Sequence, residues 1–335
     1  MQIRKHLSLW RRWWNNARPV ALPQSMFPAV LAVCLASKMP EFSIYLSIAA
    51  VFGVMLAHLC SNLLDDYFDY KVKDTAFRGD LERKGIRARI TKCPYLISGE
   101  ATLKELFVVC SILGVAAITV GVVIFLQRDI VILYITLIAA ALCFSYSGSP
   151  LKLSYRGLGE IVIGLMFGPL LMCGVYYAAC GILDWSILLV SVSVGLLVVN
   201  IVYSHSIMDY EPDKLCGKMT FAGLLNNKTA MLVALFFILF TAFAAVVVGV
   251  IFGFLALPYL LVLLTLPMAV SQFYLMQKFV KEPQRTFRPR FWMGPMGNWE
   301  GIKNAGIDWF MIRWLLARNL LSFFCLIIIV VAFVF

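Results

Sequence analysis

Nine long apolar runs constrain this chain more than anything else in it, at about 21–38, 43–69, 103–126, 130–147, 158–181, 185–209, 229–253, 255–279 and 313–335. Each is close to the ~20 residues that a helix rising ~1.5 Å per residue needs to cross a ~30 Å hydrocarbon layer. In lipid every backbone N–H and C=O must be satisfied within the protein, so such runs fold as helices or as a closed barrel. A barrel would read as ~10-residue segments of alternating polarity, and these runs are unbroken. The expected fold class is therefore all-α, a polytopic membrane bundle of nine transmembrane helices. With 61% hydrophobic and 14% charged residues and a mean hydropathy of +0.87, the composition lies far from that of soluble domains.

The basic residues orient the bundle. With the N-terminus inside, 27 of the 29 Lys and Arg fall on the cytoplasmic side and only Lys38 and Arg128 on the other, as the positive-inside rule requires. The net charge of +11 then reflects topology and contact with anionic membrane lipid, with no nucleic-acid partner implied. The nine cysteines are scattered, mostly inside spans, and show neither disulfide nor zinc spacing. The leading MQIRKHLSLWRRWWNNARP is basic and aromatic and reads as an interfacial helix rather than a cleaved signal. The expectation is one domain over 1–335. It has an interfacial segment at 1–20, long cytoplasmic loops at 70–102 and 210–228 that carry chemistry, and a further loop at 281–312 before the last helix.

Polar residues gather at two helix ends. The second span closes on NLLDDYFDYKVKD, residues 62–74, although an unpaired carboxylate within hydrocarbon costs roughly 2.5 kcal/mol or more. At ~100° per residue, Asn62, Asp66 and Asp69 share one helix face, and Asp65 lies one turn before Asp69. The sixth span repeats the design in IVYSHSIMDYEPDK, with Asp209 and Asp213 one turn apart. Both clusters sit at C-terminal helix ends, where the dipole already disfavours negative charge.

Two readings of these acids compete. They can be ordinary interfacial carboxylates, solvated or paired with neighbouring Lys and Arg. Alternatively they bind Mg²⁺, which prefers one or two protein carboxylates with water and phosphate oxygens completing its octahedron, and the recurrence on two helices favours this. The adjoining loops are basic: Arg83, Lys84, Arg87 and Arg89 follow the first cluster, and Lys214 and Lys218 the second. Tyr146, Lys152 and Arg156 lie in YSGSPLKLSYRGLGE at 146–160. A diphosphate bridging two Mg²⁺ ions between the clusters, with these side chains on its remaining oxygens, would neutralise the acids. His58 and His205, each one turn from an acid stripe, read either as helix-to-helix hydrogen-bonding residues or as catalytic groups.

Together these segments resemble the UbiA-type intramembrane prenyltransferases, and within them the 1,4-dihydroxy-2-naphthoate polyprenyltransferases of menaquinone biosynthesis. The resemblance runs through ARPVALPQSMFPAV at 17–30, NLLDDYFDYKVKD, the RARI and ISGE pieces at 87–100, YSGSPLKLSYRGLGE, and DYEPDKLCGKMTFAGLL at 209–225. YRGLGE followed by Phe167, Gly168 and Pro169 is its most subfamily-specific part. It implies a bundle around a central cavity in the bacterial cytoplasmic membrane, with the active site facing the cytoplasm. It also implies that Asp66, Asp69, Asp209 and Asp213 hold Mg²⁺, two ions, and the diphosphate of a polyprenyl donor. Arg89, Lys152, Arg156, Lys214 and Lys218 are the diphosphate candidates, and Asn62 and Tyr146 would face the cavity between donor and aromatic acceptor.

Asp65, Asp69 and Tyr146 are the catalytic candidates. Asp65 stands where the family usually has Asn, and can act as a third metal ligand or take the acceptor's phenolic proton. The implied reaction is Mg²⁺-assisted loss of diphosphate, attack of the aromatic ring on the allylic cation, and loss of carbon dioxide to give demethylmenaquinone. Tyr67, Phe68, Tyr70 and Tyr146 are candidates to line the cation's pocket, or form an interfacial aromatic belt. An ion-coupled transporter and a sister enzyme with another aromatic acceptor are the alternatives. The stretch EPQRTFRPRFWMGPMGNWEGIKNAGIDWF before the last span has no counterpart in the resemblance.

Overall fold

The computed structural model describes residues 9–71, 93–215, 217–283 and 285–335. Arg83, Lys84, Arg87 and Arg89 lie outside them. Among the described residues the chain is helical throughout, its sole β feature a bridge between Arg156 and Met219. After α1 (Leu9–Asn16) come α2 (Pro23–Ala36) and α3 (Ile44–Lys71). A short turn α4 (Pro94–Ile97) leads to α5 (Leu103–Phe125) and α6 (Ile130–Ser147). Then follow α7 (Gly159–Cys180), α8 (Trp185–Met208), and two short helices, α9 (Tyr210–Leu215) and α10 (Phe221–Leu225). The chain closes with α11 (Lys228–Ile251), α12 (Leu257–Lys281), the short α13 (Trp299–Asn304) and α14 (Asp308–Val334).

Among the described residues eight helices, α3, α5–α8, α11, α12 and α14, are long and apolar enough to cross a membrane. The first apolar run differs from expectation. It yields only the 14-residue α2, about 21 Å at 1.5 Å per residue, because Pro19 and Pro23 start it late through the short turn Pro19–Ala21. What it lacks in length it has in burial: Ala29, Leu31, Ala32 and Ala36 are wholly enclosed, with α3, α7 and α14 packed around it. The last helix begins at Asp308, five residues before the expected span, since nothing in DWFMI breaks a helix.

Close backbone approach fixes the α7–α8 crossing. A Cβ on Gly168 would stand 2.5 Å from the Ser191 carbonyl oxygen and 2.6 Å from Gly195 Cα, so small residues on both sides let the helices touch, as membrane helices commonly do. Gly168 and Pro169 sit in a π-helical turn, Met166–Leu170, within α7. Helix ends are capped by side chains: Thr102 and Glu105 form a capping box at α5, and Asp129, Asp184 and Asn227 cap α6, α8 and α11. Arg128, one of two basic residues expected on the outer side, bonds the Ala178 and Ala179 carbonyls at 2.9 and 2.7 Å. It thereby satisfies acceptors that the C-terminal end of α7 leaves open.

Candidate active site

Both acid clusters lie at one end of the bundle and are joined by two loops. α3 delivers Asp66 and Asp69, 3% and 5% exposed, and α8 with α9 delivers Asp209 and Asp213, 3% and 4% exposed. Tyr155, between α6 and α7, donates its hydroxyl hydrogen bond to Asp69. Lys218 Nζ lies 6.0 Å from the centre of the same ring, and the Lys218 backbone N–H donates to the Asp213 carbonyl at 2.9 Å. The Gly157 N–H donates to the Met219 carbonyl at 2.8 Å beside the Arg156–Met219 bridge. The loop before α7 and the loop after α9 are thus stitched together between the two acidic helix ends.

Around the first cluster, Arg18 Nη2 lies 3.1 Å from Asp66 Oδ1 and 3.8 Å from Asp65 Oδ2, and donates to the Asn62 carbonyl at 2.6 Å. The Asn62 amide nitrogen donates to the Ala17 carbonyl at 2.9 Å, so Asn62 ties the segment before α2 to α3. Tyr95 on α4 donates to Asp66 Oδ2 at 2.9 Å, and Ser147 donates to Asp65 Oδ1 at 2.6 Å. Burial alone would lower the pKa of Arg18, but the charges of Asp66 and then Asp65 raise it above its ordinary value. Burial, then the charge of Asp66 and its hydrogen bond, push the Tyr95 phenol far above its ordinary value. Tyr95 therefore stays a hydrogen-bond donor. Helix α1 roofs this side, with Trp13 edge-on to Tyr95 at 5.9 Å and Arg12 bonded to the Glu100 carbonyl at 3.0 Å.

At the second cluster His205 Nε2 lies 3.0 Å from Asp209 Oδ2. Lys214 reaches Asn226 Oδ1 at 3.5 Å and sits 5.8 Å from the Tyr210 ring centre, on the exposed side. Arg156 is exposed and bonds the Pro150 carbonyl at 3.2 Å. Lys152 is half-buried with a left-handed backbone, φ 45°. Tyr146 is half-buried, its ring edge 3.5 Å from where a Cβ on Gly159 would stand. Arg89 lies outside the described residues. His58 joins helices, its Nδ1 2.6 Å from Ser25 Oγ on α2. Tyr67 and Phe68 pack against Phe107 on α5 and Phe144 on α6, away from the acid-bearing face.

The structure adds Arg18, Tyr95, Tyr155, Ser147 and Glu160 to the residues picked out above. Glu160, 4% exposed, accepts from Ser206 Oγ on α8 at 2.6 Å and from the Phe221 N–H with both oxygens at 3.2 Å. It holds the start of α10, and with it the Lys218 loop, against α8. All five lie in quoted segments or beside them, but none carries a charge pattern that singles it out.

The donor set suits a hard divalent cation. All four aspartates offer oxygen, and among the described residues no three His, Cys, Asp or Glu converge on a ready-made metal cage. Mg²⁺ is commonly held in this way, by one or two carboxylates with phosphate and water supplying the rest.

The chain thus presents a buried, acid-lined end of a membrane helical bundle, bordered by basic loops. Residues 25–294 match the UbiA prenyltransferase family, and the chain belongs to that family: it is a multi-pass membrane prenyltransferase. It is 29% identical over 219 residues to the 1,4-dihydroxy-2-naphthoate octaprenyltransferase of Bacillus subtilis, covering 65% of this chain and 67% of that one. It is 27% identical over 290 residues to a UbiA prenyltransferase domain-containing protein 1 homolog of Drosophila melanogaster, covering 83% and 75%.

Solved structures share the fold. A digeranylgeranylglyceryl phosphate synthase superposes with a TM-score of 0.63 at 17% identity over 96% of this chain and 98% of that one. A UbiA homolog from Archaeoglobus fulgidus bound to GPP and Mg²⁺ gives 0.58 at 14% identity over 95% and 99%.

Proposed function

We propose that this prenyltransferase moves a polyprenyl group from its diphosphate to 1,4-dihydroxy-2-naphthoate, releasing diphosphate and carbon dioxide and giving demethylmenaquinone in its hydroquinone form, at a Mg²⁺-dependent site between the ends of α3 and α8. The observation that carries this is the Asp69–Tyr155–Lys218 link, which ties the two acid-bearing helix ends to one basic loop. In this reading Asp66 and Asp69, with Asp209 and Asp213, hold two ions. When bound, Mg²⁺ supplies Lewis-acid stabilisation of the departing diphosphate.

The chain's own residues do the rest. Lys218, Lys214, Lys152, Arg156 and Arg89 take the outer phosphate oxygens, and Tyr155 and Tyr95 hold the Asp69 and Asp66 carboxylates in fixed orientation. Asp65, oriented by the Ser147 hydroxyl, accepts the acceptor's phenolic proton. Tyr146 supplies a π-face to the allylic cation beside the small Gly159. Asn62 keeps the segment before α2 closed over the site. The chain acts as a single domain with its N-terminus and site on the cytoplasmic side of a bacterial inner membrane. The subfamily of the Bacillus relative and the YRGLGE block at 155–160 support the naphthoate acceptor.

The test is prenyl transfer by purified protein with a labelled polyprenyl diphosphate and a panel of aromatic acceptors, with and without EDTA. Turnover with the naphthoate that stops in chelator and returns with Mg²⁺ is the expected result. Full activity in EDTA removes the metal, and preference for another ring removes the acceptor.

A further inference from the structure

The stretch between α12 and α14 does not simply loop between helix ends. Trp292 Nε1 donates to Ser271 Oγ on α12 at 3.1 Å, ten residues before that helix ends at Lys281. Asn319 on α14, eleven residues past Asp308, donates its amide to the Met293 and Pro295 carbonyls at 2.9 and 2.8 Å. At 1.5 Å per residue both contacts lie about 15 Å back along the helices from their connected ends. The chain therefore folds back along the bundle, past the connected ends of both helices, to residues that lie within the expected spans 255–279 and 313–335. Gly294 makes the return possible, with φ 78° and a notional Cβ 2.7 Å from the Phe323 ring.

This fold-back is pinned at its base as well. Phe287 lies over the guanidinium of Arg313, 5.6 Å away, and Arg313 is itself fully buried and bonded through Nε to the Leu275 carbonyl at 3.0 Å. A segment held at both ends nonetheless turns its apolar side outward. Phe291 is 92% exposed and Trp292 41%. Arg288 and Arg290 beside them are exposed, with no acidic partner among the described residues. From 283 to 299 the chain holds three Arg and no Asp or Glu.

We propose that residues 288–292 form an anchor for anionic phospholipid headgroups, with Phe291 and Trp292 seated at the acyl boundary and Arg288 and Arg290 on lipid phosphates. An aromatic pair pinned back against two spans beside two arginines with no acidic partner among the described residues has the charge and the apolar surface for that partner. Phe291 packs edge-on to Trp292 at 5.2 Å, so the exposed apolar surface is a paired aromatic patch. The anchor is independent of the transferase chemistry and touches none of the residues assigned to it.

Nanodiscs of pure phosphatidylcholine and of phosphatidylcholine with phosphatidylglycerol test it by thermal unfolding. Wild type should gain roughly 4 °C in the anionic discs, and the gain should shrink in high salt. Arg288→Gln/Arg290→Gln should lose at least half of that gain while matching wild type in phosphatidylcholine. Lys278→Gln/Lys303→Gln, which removes equal charge nearby, should keep it. Phe291→Ser should lower the melting temperature in both discs. Equal gains in wild type and the double arginine variant, equal losses in the lysine control, or the same gain from inorganic phosphate in phosphatidylcholine discs would each overturn the anchor.

Discussion

Glu160 offers the sharpest test of how the site is held together. It touches neither acid cluster, yet its carboxylate joins α7 to Ser206 of α8 and to the first N–H of α10. Hydrogen bonds to a charged partner contribute about 1.5–3 kcal/mol each, and a carboxylate at a helix N-terminus gains a little more from the dipole. Two such donors are non-additive, so a loss of about 3 kcal/mol is reasonable for Glu160→Ala, or roughly 150-fold in the balance between docked and undocked loop at ~1.4 kcal/mol per decade. Substrate must then recover that cost, since apparent affinity scales with the fraction of protein already competent to bind. Glu160→Ala should raise KM for the diphosphate donor by roughly tenfold or more, with a smaller change in kcat, as read from initial rates in detergent or nanodiscs. Glu160→Gln keeps one acceptor oxygen and should fall in between. Unchanged KM in the alanine variant, or a fall in kcat alone, would refute the idea that Glu160 acts by docking the Lys218 loop.

Other outcomes follow from the same geometry. Asp66→Asn and Asp209→Asn should each abolish turnover while leaving the protein expressed and inserted; a near-normal rate in either removes that residue from the site. Arg18→Met removes one cation from beside Asp65 and Asp66, so the melting temperature in EDTA should fall by a few degrees and the gain on adding Mg²⁺ should grow. An unchanged Mg²⁺ gain would show that Arg18 does not compete for those carboxylates. Gly168→Ala places a methyl group 2.5 Å from the Ser191 carbonyl and should cost about 2 kcal/mol by overpacking, seen as a lower melting temperature. A variant as stable as wild type would mean that the α7–α8 crossing has room to spare.

The helices were legible in the sequence because hydrocarbon admits so few alternatives. The run expected at 130–147 is α6, Ile130–Ser147, and the 103–126 run ends one residue from α5. Hydropathy misjudges lengths where it cannot see backbone geometry: prolines delay α2, and α14 runs five residues further back than expected, to Asp308. The aspartates stood out because a carboxylate in an apolar run is costly. Their partners did not, since Arg18, Tyr95 and Tyr155 reach Asp66 and Asp69 across 29 to 86 residues of chain. A tyrosine near a membrane boundary has an ordinary explanation until its hydroxyl is seen on a carboxylate. The fold-back at 285–298 was likewise hidden, because it depends on Asn319, one amide within a helix that otherwise reads as a plain span.

The partners found around the acids bear on how such a site can exist before substrate arrives. Buried carboxylates need compensation, and here one guanidinium nitrogen of Arg18 is shared among Asp66 at 3.1 Å, Asp65 at 3.8 Å and the Asn62 carbonyl at 2.6 Å. Tyr95 and Tyr155 complete the arrangement with hydroxyl hydrogen bonds to Asp66 and Asp69. The carboxylates are thereby held in a fixed orientation, which is the geometry that oxygen ligands of a divalent cation need before it arrives. On the proposed function, a diphosphate arriving with Mg²⁺ would then shift Arg18 from counter-ion of the acids to neighbour of the phosphate, which is why the Arg18→Met variant is best read by its metal response rather than by its rate.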